Sequence, residues 1–311
     1  MPRIINLGSL NIDFVYRMPH IVREGETLAA SSRTINVGGK GLNQSVAMSR
    51  AGLPVLHAGM VGSDGLRLVD LLNREDVSTD LVRVLAEKNS GHTIIQLTPE
   101  GRNCILYYPG TNALITDDFV SEVIDAVDEE KDLLVLQNEV AKTRVALERA
   151  QEAGVRVLYN PSPFDPSIPE TLINGVFALI VNEIEAAALI HCEPETLSDD
   201  ELFETLCARY PHPVIILTLG SRGSRARIPG TSPISVAAKK VEARDTTGAG
   251  DTFTGFVCRA LFPVHASKAV FHDVLELAMR RATLAASIAV MRDGAAKSIP
   301  TLNEVLQAEC V

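Results

Sequence analysis

Continuous runs of aliphatic and β-branched residues recur at 4–7, 55–61, 133–137, 155–159, 178–181 and 214–219. Between them, apolar residues return at the 3.6-residue period over 43–51, 66–74, 117–127, 142–153, 199–210, 251–261 and 272–291. Short apolar strands alternating with amphipathic helices predict an α/β fold, with a mainly parallel central sheet flanked by helices. Such sheets bind ligands in the loops beyond one strand edge. Two segments break the alternation. Residues 14–37 and 91–109 read as short strands joined by turns, including runs at 93–97 and 103–108, and predict a small separate β-sheet. No internal repeat, low-complexity tract or linker divides the chain, so 1–311 is expected to form one domain.

Composition narrows the partners. With 46% hydrophobic residues in 311, the chain can bury a large core. A net charge of −10 and the lack of any Lys/Arg block argue against nucleic acid or an anionic membrane surface as partner, and point to a small molecule. Five cysteines, an odd number with no C-x-x-C pair, indicate neither a zinc site nor a complete disulfide framework. Reduced thiols in the cytoplasm fit that usage. The apolar start lacks the charged cluster and cleavage site of a signal peptide and reads as a first strand. No apolar run approaches the ~18 residues of a membrane span.

Chemistry concentrates at 244–255, Arg-Asp-Thr-Thr-Gly-Ala-Gly-Asp-Thr-Phe-Thr-Gly. Phe253, Phe256, Val257, Ala260 and Leu261 share one helical face and stop before Pro263, which sets Gly248, Ala249 and Gly250 in or just before the first turn. Backbone N–H groups there lack helical acceptors and sit at the positive dipole end, an arrangement that receives phosphate oxygens. Asp251 has two readings, a helix cap or dipole partner and a general base taking a proton from an attacking hydroxyl. Gly38-Gly39-Lys40-Gly41 is not a Walker A loop, because Gly41 follows the lysine and Thr34 stands where glycine is required. By itself it is a turn. Asn11, Asp13, Lys40, Asn43 and Glu139 surround it at predicted strand ends and loops, and such side chains can bond several hydroxyls at once.

The segment Asp245-Thr246-Thr247-Gly248-Ala249-Gly250-Asp251-Thr252-Phe253 resembles the C-terminal signature of the ribokinase, or PfkB-type, family of carbohydrate kinases. Val37-Gly38-Gly39-Lys40-Gly41-Leu42-Asn43-Gln44 is similar to that family's sugar-side glycine motif, Asn182-Glu183-Ile184-Glu185 to its Asn-x-x-Glu motif, and Thr218-Leu219-Gly220-Ser221-Arg222-Gly223 to its nucleotide loop. Their order and spacing agree over nearly the whole chain. The resemblance implies a ribokinase-like fold whose small sheet, about 14–37 and 91–109, is a lid over the sugar and commonly a homodimer contact. It implies that Asn11, Asp13, Gly39, Lys40, Asn43 and Glu139 contact D-ribose, with Asp251 at the 5-hydroxyl. ATP would lie on Thr218, Gly220, Ser221, Gly223, Thr246, Gly248, Ala249, Gly250 and Thr283. Asn182 and Glu185 would support Mg²⁺ through water, although the start of a surface helix explains that pair equally well. Asp245, Thr247, Ala289, Arg292, Gly294 and Ser298 would hold K⁺, mostly through main-chain oxygens, while an exposed turn carboxylate is the other reading of Asp245.

The chain departs from the family pattern after Val61-Gly62-Ser63-Asp64, where the usual Phe-Gly pair is missing, and at Asp76-Val77-Ser78, which replaces Gly-Val-Asp. The expected reaction is ATP-dependent phosphorylation of D-ribose at its 5-hydroxyl. The alternatives are a kinase for another pentose, a ketose or a nucleoside, and a catalytically silent sugar-binding regulator on the same fold. None of the seven histidines falls in a metal-like pair or beside a nucleophile, so all are expected to be structural or surface residues.

Overall fold

A computed structural model describes residues 2–310. In chain order the first half carries β1 (Ile4–Leu7), β2 (Asn11–Arg17), β3 (Ser32–Gly38), α1 (Lys40–Arg50), β4 (Val55–Gly62), α2 (Leu66–Arg74), β5 (Ser78–Leu85), β6 (Gly91–Leu97), β7 (Asn103–Tyr108), α3 (Asp117–Asp125), β8 (Leu133–Gln137) and α4 (Thr143–Glu152). The second half carries β9 (Val157–Asn160), α5 (Glu170–Asn174), β10 (Ala178–Asn182), α6 (Glu183–Leu189), α7 (Asp199–Arg209), β11 (Val214–Thr218), β12 (Ser224–Arg227), β13 (Ile234–Val236), α8 (Ala249–Leu261), α9 (Lys268–Val290) and α10 (Leu302–Glu309).

Nine strands form one sheet in the order β13-β12-β11-β10-β9-β8-β1-β4-β5, in which only β12 runs against the others. Because successive strand residues face opposite sides, each buried strand feeds two cores. Ile4, Leu133, Val135, Ile180 and Ile216 pack with α1, α2, α8 and α9, whereas Ile5, Leu134, Leu136, Leu179 and Leu217 pack with α3 to α7. The second sheet, β3-β2-β6-β7, is the expected small one.

Boundaries moved where capping chemistry overrides apolar content. Strand β9 starts at Val157 rather than 155, since Val155 N–H donates to Ala150 O (2.9 Å) and Gly154 N–H to Gln151 O (3.1 Å), closing the end of α4 in a Schellman pattern. Helix α1 begins at Lys40 instead of 43 because Gly39, at φ 93°, turns the chain and Leu42 N–H reaches Ser9 O at 2.9 Å. Helix α9 begins at Lys268, earlier than 272, because the Ser267 side chain accepts the Val270 N–H. The half-exposed edge strand β5, with Asp80 and Arg83 inside it, carries no continuous apolar run and was not predicted. Asp76, where the family pattern has glycine, keeps the left-handed turn at φ 55°, a conformation that aspartate tolerates better than most residues.

Candidate active site

Two helices bring the site together. Helices α1 and α8 lie side by side and run in the same direction: Asn43 Nδ2 donates to Asp251 Oδ2 at 3.0 Å and Arg259 donates to Ala51 O at 2.6 Å. Between those contacts, a Cβ on Gly255 would come within 2.3 Å of the Ala47 Cβ, so only glycine permits this approach. The pairs 43/251, 47/255 and 51/259 advance together, which sets both N-termini, with their positive dipole ends, at one place. At the α8 end the N–H groups of Gly248, Gly250 and Asp251 have no acceptor among the described residues, while Ala249 N–H makes a 3.3 Å bond to Thr246 O. That bond differs from the expected trio of free donors. Its cause is the left-handed turn at Gly248, φ 77°, which folds Ala249 back toward Thr246. A Cβ on Gly250 would meet no protein atom within 4 Å, so the space before the helix is open.

Asp251 itself is buried and receives a donor on each oxygen, Asn43 on Oδ2 and Gln44 Nε2 on Oδ1 at 3.1 Å. Asn43 Oδ1 is buried with no partner among the described residues. Glu139, in the loop after β8, accepts from Ser9 Oγ at 2.5 Å and from Lys40 N–H at 2.9 Å. Burial alone would lower the Lys40 pKa, yet the carboxylates of Asp251, Glu139 and Glu185 outweigh it and raise the value, so the ammonium stays charged. Asp13 is pushed the other way: burial raises its carboxyl pKa against a 2.5 Å hydrogen bond from Thr93 Oγ1, with Glu139 adding to the rise. Asn11 is pinned by Asn112, whose Nδ2 donates to Asn11 Oδ1 at 2.7 Å.

The small sheet contributes more than the predicted residues. Its register sets Asn36, Asp13, Thr93 and Tyr107 in one row and so on one face. Tyr107 reaches from that row to the loop after β8, donating its hydroxyl to Glu139 O at 3.4 Å. Thr93, Tyr107, Ser9 and Gln44 were missed from sequence. Gln44 lies inside the glycine motif and is legible as a polar neighbour of Asn43, but the residues of the small sheet become visible only through strand register.

On the other side of Asp251, the carboxyl ends of adjacent strands carry Gln137, Asn160, Asn182 and Thr218, with Gln137 level with Asn160 and Asn182 level with Thr218. Asn182 and Glu185 form a capping box at the start of α6: Asn182 Oδ1 accepts the Glu185 N–H and Glu185 Oε2 the Asn182 N–H. Glu185 is nonetheless buried, and burial pushes its carboxyl pKa up against bonds from Ser162 and Asn182. The loop after β11 turns at Gly220 (φ 54°) and Gly223 (φ 103°), where a Cβ would strike Val236 O at 2.1 Å. Val236, Ala237 and Ala238 line a cavity of about 360 Å³ with Thr283 and Leu284. Thr283 Oγ1 is buried there without a partner. Ser221 and Thr246 are exposed, and their side chains make no hydrogen bond among the described residues.

The carboxylate of Asp245 is drawn to the loop after α9, accepting N–H from Thr247 at 3.0 Å and from Gly294 at 2.8 Å. Burial opposes its ionisation, but those bonds and Lys297 hold its carboxyl below the usual range. Ala289 O accepts the Arg292 N–H at 3.0 Å, and Ser298 O accepts Arg292 Nη1 at 3.4 Å. Each carbonyl keeps a lone pair, so the oxygens are compatible with a further ligand. Gly248 touches the same loop, its absent Cβ lying 3.2 Å from Ala295 Cα.

An anion-receptive helix start and a buried carboxylate beside a polar cluster under the small sheet are the features of a sugar phosphotransferase. The description of the pfkB family of carbohydrate kinases matches residues 1–302, and the chain belongs to that family. It is 33% identical to the ribokinase of Schizosaccharomyces pombe over 98% of this chain and 97% of that one, and 33% identical to the ribokinase of Bacillus subtilis over 98% of both. The structure of Arabidopsis thaliana ribokinase complexed with ribose and ATP superposes with a TM-score of 0.84 at 27% identity, covering 98% of each chain.

Proposed function

We propose that the protein transfers the γ-phosphoryl group of ATP to the 5-hydroxyl of D-ribose. The observation that carries this reading is Asp251: a buried carboxylate at the joint mouth of two parallel helices, between a polar lidded pocket and open N–H donors. Asn11, Asp13, Gly39, Lys40, Asn43 and Glu139 would hold the sugar, Asn43 through its unpartnered Oδ1. Lys40 and Tyr107 supply donors where Asp13 and Glu139 mainly accept, matching hydroxyls that both donate and accept. Asp251 takes the proton of the attacking hydroxyl as the sugar oxygen bonds to the γ-phosphorus and the bond from that phosphorus to the β–γ bridging oxygen breaks, releasing ADP. The N–H groups of Gly248, Gly250 and Asp251, assisted by the Ala249 turn, face the charge that develops on the transferring group.

The nucleotide would run from Thr246 and the glycine turn along Thr218, Gly220, Ser221 and Gly223 to the cavity at Thr283, whose orphan hydroxyl fits a polar edge of the base. Mg²⁺ supplies charge neutralisation on the phosphates when bound. Asn182 and Glu185 fit its support through water rather than by direct ligation, since their capping box occupies one oxygen of each. Asp245 with the main-chain oxygens of Thr247, Ala289, Arg292, Gly294 and Ser298 fits K⁺, which would stiffen the turn before α8. Residues 1–311 act as one domain in the cytoplasm, with the small sheet as lid. Ile105, Leu106, Tyr107 and Tyr108 on the edge strand β7 are exposed, and a second copy of the chain would cover them.

A coupled assay across ribose, 2-deoxyribose, fructose and adenosine, in potassium and in sodium, tests the reading. Ribose should give the highest kcat/KM, and potassium the higher rate. A better rate with adenosine or fructose overturns the substrate, and equal rates in the two salts remove the cation site.

A further inference from the structure

Beneath Asp251 lies a set of polar side chains that the reaction does not touch. Asn6 on β1, Gln44 and Ser45 on α1, and His57 on β4 are each 0% exposed, and Gln137 at the end of β8 is 1% exposed. They form one hydrogen-bonded chain. Asn6 Nδ2 donates to Gly41 O and to Ser45 Oγ, both at 2.8 Å, and Ser45 Oγ lies 2.9 Å from His57 Nδ1. Gln137 Nε2 donates to Asn6 Oδ1 at 2.9 Å and to Gln44 Oε1 at 2.7 Å. Gln44 Nε2 then donates to Asn160 Oδ1 and to Asp251 Oδ1, both at 3.1 Å.

The chain has a direction. Gly41 O is a backbone carbonyl and can only accept, which fixes the nitrogen side of Asn6. Asn160 is fixed likewise, since its Nδ2 donates to Ile180 O at 3.0 Å. With both ends set, reversing Gln137 would face its oxygen against two oxygens, and reversing Gln44 would do the same. Gln137 Oε1 is buried with no partner among the described residues, so the amide gives up its acceptor to keep both donors in place. Gly8 makes room for that oxygen: a Cβ there would lie 2.5 Å from it.

We infer that Gln44 and Gln137 are positioning residues, which hold the Asp251 carboxylate in a single orientation through this directed run of amides. This rests on Asp251 being the base. Gln44 must present N–H rather than oxygen to the carboxylate; Asn160 sets that choice at one end of the amide, and Gln137, which has no hydrogen bond to Asp251, holds the other end by donating to Gln44 Oε1. A base aimed in this way keeps its free lone pair on the sugar hydroxyl without reorganising during the reaction.

The test is a double-mutant cycle with Gln44→Met and Gln137→Met, reading kcat and both KM values. Each single variant should lose about tenfold or more in kcat, as misplacement of a reacting group does, with both KM values within about twofold of the parent. The double variant should fall no more than about twofold below the worse single, because Gln137 acts only through Gln44. A kcat within about twofold for Gln137→Met, or single losses that multiply in the double, overturns the inference. Should Gln137→Met not fold, glutamine-¹⁵N labelling of the parent reads the same arrangement: the Gln44 and Gln137 side-chain N–H protons should exchange at least about 100-fold more slowly than those of free glutamine. Exchange at the free rate overturns it. A parent inactive on every sugar sinks the kinase reading instead, and the exchange measurement still decides this one.

Discussion

The two sides of Asp251 are built differently. On the proposed sugar side, buried and half-buried side chains are locked by side-chain bonds: Asn43 and Gln44 on Asp251, Ser9 on Glu139, Thr93 on Asp13 and Asn112 on Asn11. Toward the nucleotide, the loops expose Ser221 and Thr246 and depend on backbone shape, with left-handed turns at Gly220, Gly223 and Gly248. Side-chain groups that are pinned in advance discriminate between hydroxyl patterns, because a missing hydroxyl leaves buried polar atoms unpaired. Backbone donors recognise phosphate, which is common to every nucleotide. On the proposed reading, the contrast puts selectivity on the sugar side and tolerance on the nucleotide side.

The hardest strike at the locked side is Asp251→Asn. Its new amide must turn N–H toward either Asn43 or Gln44, both of which are already donors, and it cannot take a proton. We expect kcat to fall by about 10²–10⁴ with ATP affinity largely kept, measured by steady-state kinetics and nucleotide titration. A loss below about tenfold removes the general-base role.

Next in size is a pH effect at the far end of the locked network. Burial drives the His57 pKa from 6.5 down to about 4, against an opposing contribution from the Gly8 backbone. The folded protein therefore holds this ring neutral while the unfolded chain binds a proton below pH 6.5. Stability from this group is complete above about 6.5 and is lost as pH falls toward about 4, by about 3 kcal/mol in total. Urea midpoints of the parent and of His57→Gln, whose side-chain oxygen can still accept from Ser45, should diverge in slope by about one proton across that window. Parallel curves refute the neutral ring.

Asp13→Ala sharpens the sugar side more gently. Loss of one charged hydrogen-bond acceptor should lower kcat/KM for ribose by about 10- to 100-fold and narrow the preference over 2-deoxyribose, with KM for ATP unchanged. Unaltered ribose kinetics would take Asp13 out of the pocket. The mirror experiment is Gly223→Ala, where φ 103° and the 2.1 Å approach to Val236 O leave no room for a methyl. Strain of about 1–3 kcal/mol should raise KM for ATP by about tenfold and leave KM for ribose as it was. If the sugar constant moves instead, the two sides are not independent.

Sequence alone determined the alternation of strand and helix, the segments of the second sheet, and the chemistry at the start of α8. It could do so because burial writes a period of two or 3.6 into the residues, and because an anion site needs small residues followed by a helix wherever it occurs. Helix starts at Lys40 and Lys268 and the strand start at Val157 depended on caps and turns that apolar patterns do not record. The edge strand β5, half exposed and charged, left no such pattern at all. Only the tertiary structure set α1 and α8 in parallel, with Gly255 against Ala47 and Asn43 against Asp251, residues some 208 positions apart in the chain. Only the register of the small sheet put Tyr107 in the row of Asp13, and only the packed large sheet joined Asn6, Gln44 and Gln137 beneath the carboxylate. The reason is physical: local residues decide which backbone conformation is cheap, whereas the direction of a hydrogen bond between buried side chains exists only once distant elements have excluded water and left those groups no other partner.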